Sequence, residues 1–290
     1  MILRFLCFLC FLCCSCTKEI PYNVEYESVP VCNAFLSPSN DLRIHLSRSV
    51  DMKKTIFSLD GADIKFYKNG ILYPVDFTEN NGLYSTKFNP ISGDIYSIDV
   101  WKDGIKLLSA CDTIPGVVLI ENPIWQPSFG MMDEWTQAGL VSFSFSDDPL
   151  CKNFYEIMLA RKSYKNDGLE YLACMEINNE FITSSTDRSW QDIKSFVFSD
   201  SLFQGKTVDI QIKVQSTFQV PPFIVLMNVS QSYYQYRRQW ITHQFLQNRN
   251  REANLSFFKG EPVDMFTNIN GGLGVFVAYN QDIKECQIIQ

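Results

Sequence analysis

Three observations predict a mainly β fold. Aromatic residues are plentiful, with 23 Phe and 13 Tyr, and such side chains suit the pleated, half-buried surface of a strand. Short runs alternate apolar and polar residues, as in Leu42-Arg43-Ile44-His45-Leu46, which puts Leu42, Ile44 and Leu46 on one face. Tight-turn pairs recur between the runs: Asp60-Gly61, Asn69-Gly70 and Asp103-Gly104. Short strands with regular turns are the pattern of a sandwich. The expectation is an N-terminal immunoglobulin-like β-sandwich over residues 29–115. A second β-rich domain follows over residues 116–290, with one amphipathic helix near 231–248.

The leader comes first in chain order. Arg4 is the only charged residue in positions 1–15, and it precedes a run of Phe, Leu and Cys. A spanning helix needs roughly 20 apolar residues. This shorter run predicts a signal peptide over residues 1–15. Ser15 directly before Cys16 resembles a bacterial lipobox, so Cys16 is the expected lipidation site. Residues 16–28 carry Pro21 and scattered charges with no helical period, and read as a lipid-anchored tether. The formal charge is −7, and becomes −8 once Arg4 leaves with the leader. That balance argues against nucleic acid, because phosphate binding needs clustered Lys and Arg. Membrane attachment is therefore expected through acyl chains rather than through surface charge.

Within the first domain, residues 62–67 alternate again, and Asn69-Gly70 supplies the two left-handed residues of a type I′ hairpin turn. Further strands are expected at 71–77, 82–88, 95–102 and 105–112, with a short one at 117–120. Residues 121–139 break the pattern. Trp125, Phe129, Met131, Met132 and Trp135 stand among Pro123, Pro127 and Gly130 without a period. Trp and Met are enriched where proteins meet partners. These five residues are the candidate contact for a partner or ligand; the alternative is packing at the junction of the two domains.

Alternation resumes at 141–145. Residues 154–162 and 170–177 suggest a hairpin around Asn166-Asp167-Gly168, followed by strands at 208–214 and 223–229. Ser230 is an N-cap for a helix starting at Gln231. Tyr233, Tyr234, Tyr236, Trp240, Ile241 and Phe245 share one face of it. Arg237 stands at the centre of that face and Arg238 points outward. A buried Arg237 requires a carboxylate or carbonyl partner; at a sheet margin it would snorkel to water. Residues 274–279 form a last strong strand, with one more near 286–289.

Chemistry-bearing motifs are sparse. After lipidation, Cys32, Cys111, Cys151, Cys174 and Cys286 remain. Cys32 with Cys111, and Cys151 with Cys174, are pairings that strand placement allows. The alternative is that all five are small buried hydrophobes. No Cys or His spacing fits zinc, so no metal and no cofactor is expected. His45 and His243 are the only histidines and have no third group for a triad. Asn270-Gly271-Gly272-Leu273-Gly274 precedes a strand rather than a helix, which favours a tight turn over a phosphate loop. No catalytic role is expected.

Several segments in order resemble one family. They are the lipobox, LSPSNDLRIHLSRS (36–49), ADIKFYKNG (62–70), Gly82–Tyr84, SGDIYSIDV (92–100), DTIP (112–115), FSDSLFQGK (198–206), VSQSYYQYRRQW (229–240) and TNINGGLGVFVAY (267–279). Together they resemble the Bacteroidetes outer-membrane lipoproteins that carry the domain of unknown function 4249. The last two segments are the most specific. The resemblance implies a lipid-anchored protein of the cell outer membrane, often encoded beside a TonB-dependent outer-membrane receptor. Lys18-Glu19, just after Cys16, resembles the charged signals that send such lipoproteins to the cell surface, so surface exposure is expected. The family resemblance implies no enzymatic activity. The expected function is thus that of a ligand-binding or accessory partner of such a transporter. The alternatives are a structural or adhesive surface lipoprotein and, least favoured, a surface hydrolase. Asp112-Thr113-Ile114 and Asp200-Ser201-Leu202 are also similar to an O-glycosylation motif of Bacteroidetes envelope proteins.

Overall fold

The computed structural model describes residues 27–50, 57–131, 134–135, 137–163, 168–172, 176–179, 195–215, 220–252 and 264–289. Nine strands make up the N-terminal part. They are β1 (Pro30–Leu36), β2 (Leu42–Arg48), β3 (Phe57–Ser58), β4 (Asp63–Lys68), β5 (Ile71–Leu72), β6 (Thr78–Asn80), β7 (Leu83–Thr86), β8 (Ile95–Lys102) and β9 (Ile105–Thr113). The turn pairs behave as their chemistry demands. Asn69 and Gly70 have φ of 51° and 78°, and Asp103 and Gly104 have 51° and 77°, the doubly left-handed arrangement whose twist matches a hairpin. Strands β5, β4, β8 and β9 form a four-stranded sheet in that order, while β1, β2, β7 and β6 belong to a larger sheet. One core lies between the two sheets. Cys32, Ala34 and Leu36 of β1 and Ile44 of β2 meet Phe66 of β4 and Ile98 and Val100 of β8. On β2 the pleat buries Leu42, Ile44 and Leu46 and exposes Arg43 and His45, as the period-two pattern requires.

The second part contains β10 (Glu121–Met131), β11 (Gln137–Ser146), β12 (Phe154–Lys162), β13 (Leu169–Tyr171), β14 (Glu176–Asn178), β15 (Phe196–Ser199), β16 (Thr207–Gln215) and β17 (Phe223–Val229). After them come α1 (Gln231–Glu252), β18 (Leu273–Glu285) and β19 (Gln287–Ile288). A five-stranded sheet, in the order β14-β16-β11-β10-β19, faces β12, β15 and β17. Val141, Phe143 and Phe145 pack there against Tyr155, Ile157, Leu159 and Leu226. Two sequence expectations change. The strand expected at 170–177 is divided: β13 pairs with β12, whereas β14 pairs with β16 in the other sheet. Residues 117–120 form no strand. They alternate buried Val118 and Ile120 with exposed Val117 and Leu119, so they keep the strand pattern without ladder partners.

β18 joins the two parts. Val31–Leu36 of β1 pairs parallel with Leu273–Ala278, and β17 pairs antiparallel with Tyr279–Glu285. One continuous ten-stranded sheet results. A division at residue 115 therefore misses a structural fact: the first core is completed by Phe276 and Ala278 from the far end of the chain. Sequence could not show this, because local alternation says nothing of a partner some 240 residues away. The glycine-rich turn makes the crossing possible. A Cβ on Gly274, whose φ is 101°, would stand 2.1 Å from the Cys32 carbonyl oxygen, and one on Gly272 would stand 2.6 Å from that of Pro30. Only hydrogen fits there, which accounts for the glycines structurally.

Helix α1 covers the outer face of the same sheet, over Val225, Met227, Val275 and Val277. Ser230 caps it: its Oγ accepts from the Tyr233 N–H at 3.1 Å. Tyr233 is buried and Tyr234 and Tyr236 are half-buried, while Trp240 stays exposed at the far side of the stripe. The side chain of Phe245 lies outside the described residues.

Candidate functional site

Direction along β18 defines two ends of the molecule. Its 13 residues span roughly 43 Å. The start of β1 lies at the first end, because Val31 is paired with Leu273. Here the chain enters the fold, tied by Ser28 Oγ donating to the Ser49 carbonyl at 2.9 Å and by Val29 N–H donating to Ser49 Oγ. Cys16 and the residues up to 26 lie outside the described residues. The opposite end is formed by the β10–β11 tip, the end of β12 and the entry to β17, since Phe223 is paired with Glu285. β10 runs parallel to β19, so its C-terminal residues continue outward past the end of β18.

The aromatic segment divides between two roles. Residues 121–131 are a strand, contrary to the aperiodic reading. Register shifts between Glu121 and Ile124 and between Gln126 and Gly130 mark bulges, which destroy the alternation that sequence reasoning looks for. Trp125 is 2% exposed, so it is not a contact residue. Its indole lies against Gly139, where a Cβ would come within 2.0 Å of the ring. Phe129, Met131 and Trp135 behave oppositely, at 44%, 59% and 89% exposed. Met132 lies outside the described residues. Tyr171 and Val220, also exposed, belong to the same end. Three large apolar side chains on one hairpin tip form a contact surface that core packing does not explain.

Beneath α1 stands a buried ion pair. Glu156 on β12 is fully buried, and Arg237 reaches it with Nε at 3.0 Å and Nη2 at 2.5 Å from Oε1. Tyr233 Oη donates to Glu156 Oε2 at 2.7 Å, and Arg237 also donates to Ser195 Oγ at 3.1 Å. Of the two positions weighed for Arg237, the carboxylate-bound one is occupied. Burial alone would depress the guanidinium pKa, but the Glu156 charge and hydrogen bonds raise it instead. Burial and the same carboxylate hold the Tyr233 hydroxyl well above its ordinary value. This cluster fastens the helix to the sheet.

A second, half-buried acid lies where β18 changes partner. Asp112 Oδ2 accepts from Ser230 Oγ at 2.5 Å and from Ala278 N–H at 2.9 Å. Burial pushes its pKa up to about 6, against those hydrogen bonds. Asp147, Asn153 and Asp200 form a third polar group at the β11–β12 turn. There Tyr155 Oη donates to Asp147, and Asp200 accepts from the Asn153 N–H at 2.6 Å.

The thiols correct the disulfide reading. Cys32 and Cys111 are both free, the first buried in the core and the second exposed on β9; they lie on opposite sheets with side chains facing different ways. Burial pushes the thiols of Cys32 and Cys286 up to about 12, as for small core hydrophobes. Cys151 is free and exposed, and Cys174 lies outside the described residues. His45 is exposed on β2 and His243 is half-buried on α1. Among the described residues no group of three or more His, Cys, Asp or Glu is arranged to hold a metal ion. The hydroxyl-bearing residues of both glycosylation-like motifs, Thr113 and Ser201, are exposed.

Comparison with known proteins decides the family. The model of the family described as "Domain of unknown function (DUF4249)" matches residues 17–285. The chain belongs to the DUF4249 family. No curated protein matches this DUF4249 chain. Among solved structures, it is similar at 13% identity to a Corynebacterium diphtheriae chain described as a membrane anchored protein, with a TM-score of 0.20. That match covers 72% of the DUF4249 chain and only 55% of the other. Another similar structure is the Fcho1 Mu homology domain of Danio rerio with bound Eps15 peptide. It shows 9% identity, a TM-score of 0.25, and coverage of 90% and 96% of the two chains. At such scores neither likeness bears on function. No described helix of the DUF4249 chain is long and apolar enough to cross a membrane.

Proposed function

We propose that the protein is a non-catalytic, surface-exposed outer-membrane lipoprotein of a Bacteroidetes envelope. In this reading it is held by lipid on Cys16 and serves as accessory partner of a TonB-dependent transporter. The observation that carries the reading is the polarity of the fold. The chain enters at one end of β18, and the exposed Phe129, Met131 and Trp135 cap the other. A lipid tether at the first end would hold that tip roughly 40 Å or more from the membrane anchor. Trp anchors are typical centres of binding energy, and Met is enriched at interfaces. The mechanism is physical: a rigid two-part β body holds an apolar hairpin against a transporter mouth or its ligand. Family membership and the Ser15-Cys16 sequence support the envelope setting.

A structural or adhesive role without a transporter is the alternative. The test is affinity purification of the tagged chain from detergent-solubilised outer membrane. Recovery of a TonB-dependent receptor with the native chain, and its loss with Trp135→Ser, is the expected result. A native chain that recovers no receptor overturns the transporter reading. Cys16→Ala is expected to abolish lipid labelling and release the protein from membranes. Labelling that persists in that variant would defeat the anchor assignment.

A further inference from the structure

The outer surface of α1 carries a second feature, remote from the tip and from the buried ion pair. A cleft of about 340 Å³ opens there, lined by Tyr234, Gln235, Arg238, Gln239 and Thr242. Arg238 lies over the Tyr234 ring, 5.5 Å from its centroid, and donates to Tyr234 Oη at 3.3 Å. Tyr234 packs on Phe154 with centroids 4.6 Å apart and the rings tilted by 30°, and Lys152 lies over Phe154 at 5.4 Å. Two cations thus flank one aromatic pair. Neither Arg238 nor Lys152 has a carboxylate partner among the described residues, unlike neighbouring Arg237 with Glu156. On a chain of net charge −7, an unpaired cationic strip needs a reason.

The hydrogen bonds around the cleft use few of its side-chain donors. Gln239 Oε1 accepts from the Phe266 N–H, which fixes the amide and turns its NH₂ away from that bond. Tyr234 Oη is occupied as an acceptor by Arg238, and Thr242 Oγ1 donates to the Arg238 carbonyl at 2.9 Å. The guanidinium has five N–H donors in a planar fork, and only one is used within the cleft. Stacking on Tyr234 holds the fork in place, so little side-chain entropy is lost when it engages an oxyanion.

We propose that this cleft binds an oxyanion-bearing small ligand, a carboxylate or phosphate, with the Arg238 fork as principal contact and Lys152 adding long-range attraction. The proposal is independent of the transporter contact at the β10–β11 tip. It is tested on the purified full chain by NMR titration of the Arg side-chain Nε–Hε signals. The probes are glucuronate, inorganic phosphate and neutral glucose. The proposal expects a saturable shift of the Arg238 signal with glucuronate or phosphate and none with glucose. The more effective anion distinguishes carboxylate from phosphate as the recognised group. Arg238→Gln is expected to weaken the binding roughly tenfold or more, because a charge-assisted hydrogen bond is lost. Lys152→Gln is expected to weaken it less and to flatten its salt dependence. Absence of any saturable anion response, an equal response to glucose, or undiminished binding in Arg238→Gln would each overturn the assignment.

Discussion

Replacing Arg237 by Met should be among the most destabilising single changes in the protein. The variant keeps the aliphatic stem that packs under α1 but removes the charge facing Glu156, whose side chain is 0% exposed while that of Arg237 is 18% exposed. Breaking a buried pair from one side leaves an uncompensated charge and costs about 3–5 kcal/mol. For a chain of this size each kcal/mol moves the melting temperature by about 2–4 °C, so the loss is read easily by calorimetry or urea unfolding. Adding Glu156→Leu should return part of the loss, but Tyr233 Oη then loses its acceptor. An unsatisfied buried hydroxyl costs about 1–3 kcal/mol. The triple variant that also contains Tyr233→Phe should therefore exceed the double variant and approach or pass the native chain. Full recovery in the double variant, with no gain from Tyr233→Phe, would refute the role given to the tyrosine. A loss under about 1 kcal/mol for Arg237→Met would show that the pair is solvated and refute the burial argument itself.

Other outcomes follow from the same geometry. Trp125→Ala should cost about 3–5 kcal/mol by emptying its site over Gly139, whereas Trp135→Ala should leave the unfolding midpoint nearly unchanged. Gly274→Ala should strongly destabilise the protein, since its Cβ would meet the Cys32 carbonyl at 2.1 Å; a midpoint unchanged in urea would contradict the close β1–β18 approach. Asp112 gives a pH signature. Its folded-state pKa is raised from 3.8 to about 6, so the fold prefers the neutral acid. Its contribution is favourable at low pH and is lost as pH rises through that window, by about 3 kcal/mol at most. Asp112→Asn should therefore be more stable relative to the native chain at about pH 7.5 than at about pH 4.5; a constant difference across that range would remove Asp112 as the source.

Much of the fold was legible because its signals are local. The pleat of β2, the Asn69-Gly70 and Asp103-Gly104 turns and the Ser230 cap each depend on a few adjacent residues, and each is observed. What escaped depends on distant partners or on broken periodicity. Nothing near Glu156 announces Arg237, because β12 is apolar on both faces and a lone glutamate there reads as an edge residue. Bulges concealed β10 as a strand and so concealed which aromatic residues it buries. Trp125 and Trp135 look alike in sequence; only the glycine at 139, two residues from Val141 that pairs with Trp125, leaves room for the buried indole and separates core from surface. The cleft around Arg238 was half legible, since Arg238 was expected to point outward, while the contact of Tyr234 with Phe154, and of Phe154 with Lys152, required the sheet beneath the helix.

The central claim is that the distal β10–β11 tip, and not the body of the fold, engages the partner. Its most direct measurement compares receptor recovery from solubilised outer membrane by the native chain and by a Phe129→Ser, Met131→Ser, Trp135→Ser variant, with the melting temperature of each recorded. The account predicts a loss of binding of about 2 kcal/mol or more with an unchanged melting temperature. Equal receptor recovery by a stably folded triple variant would contradict it.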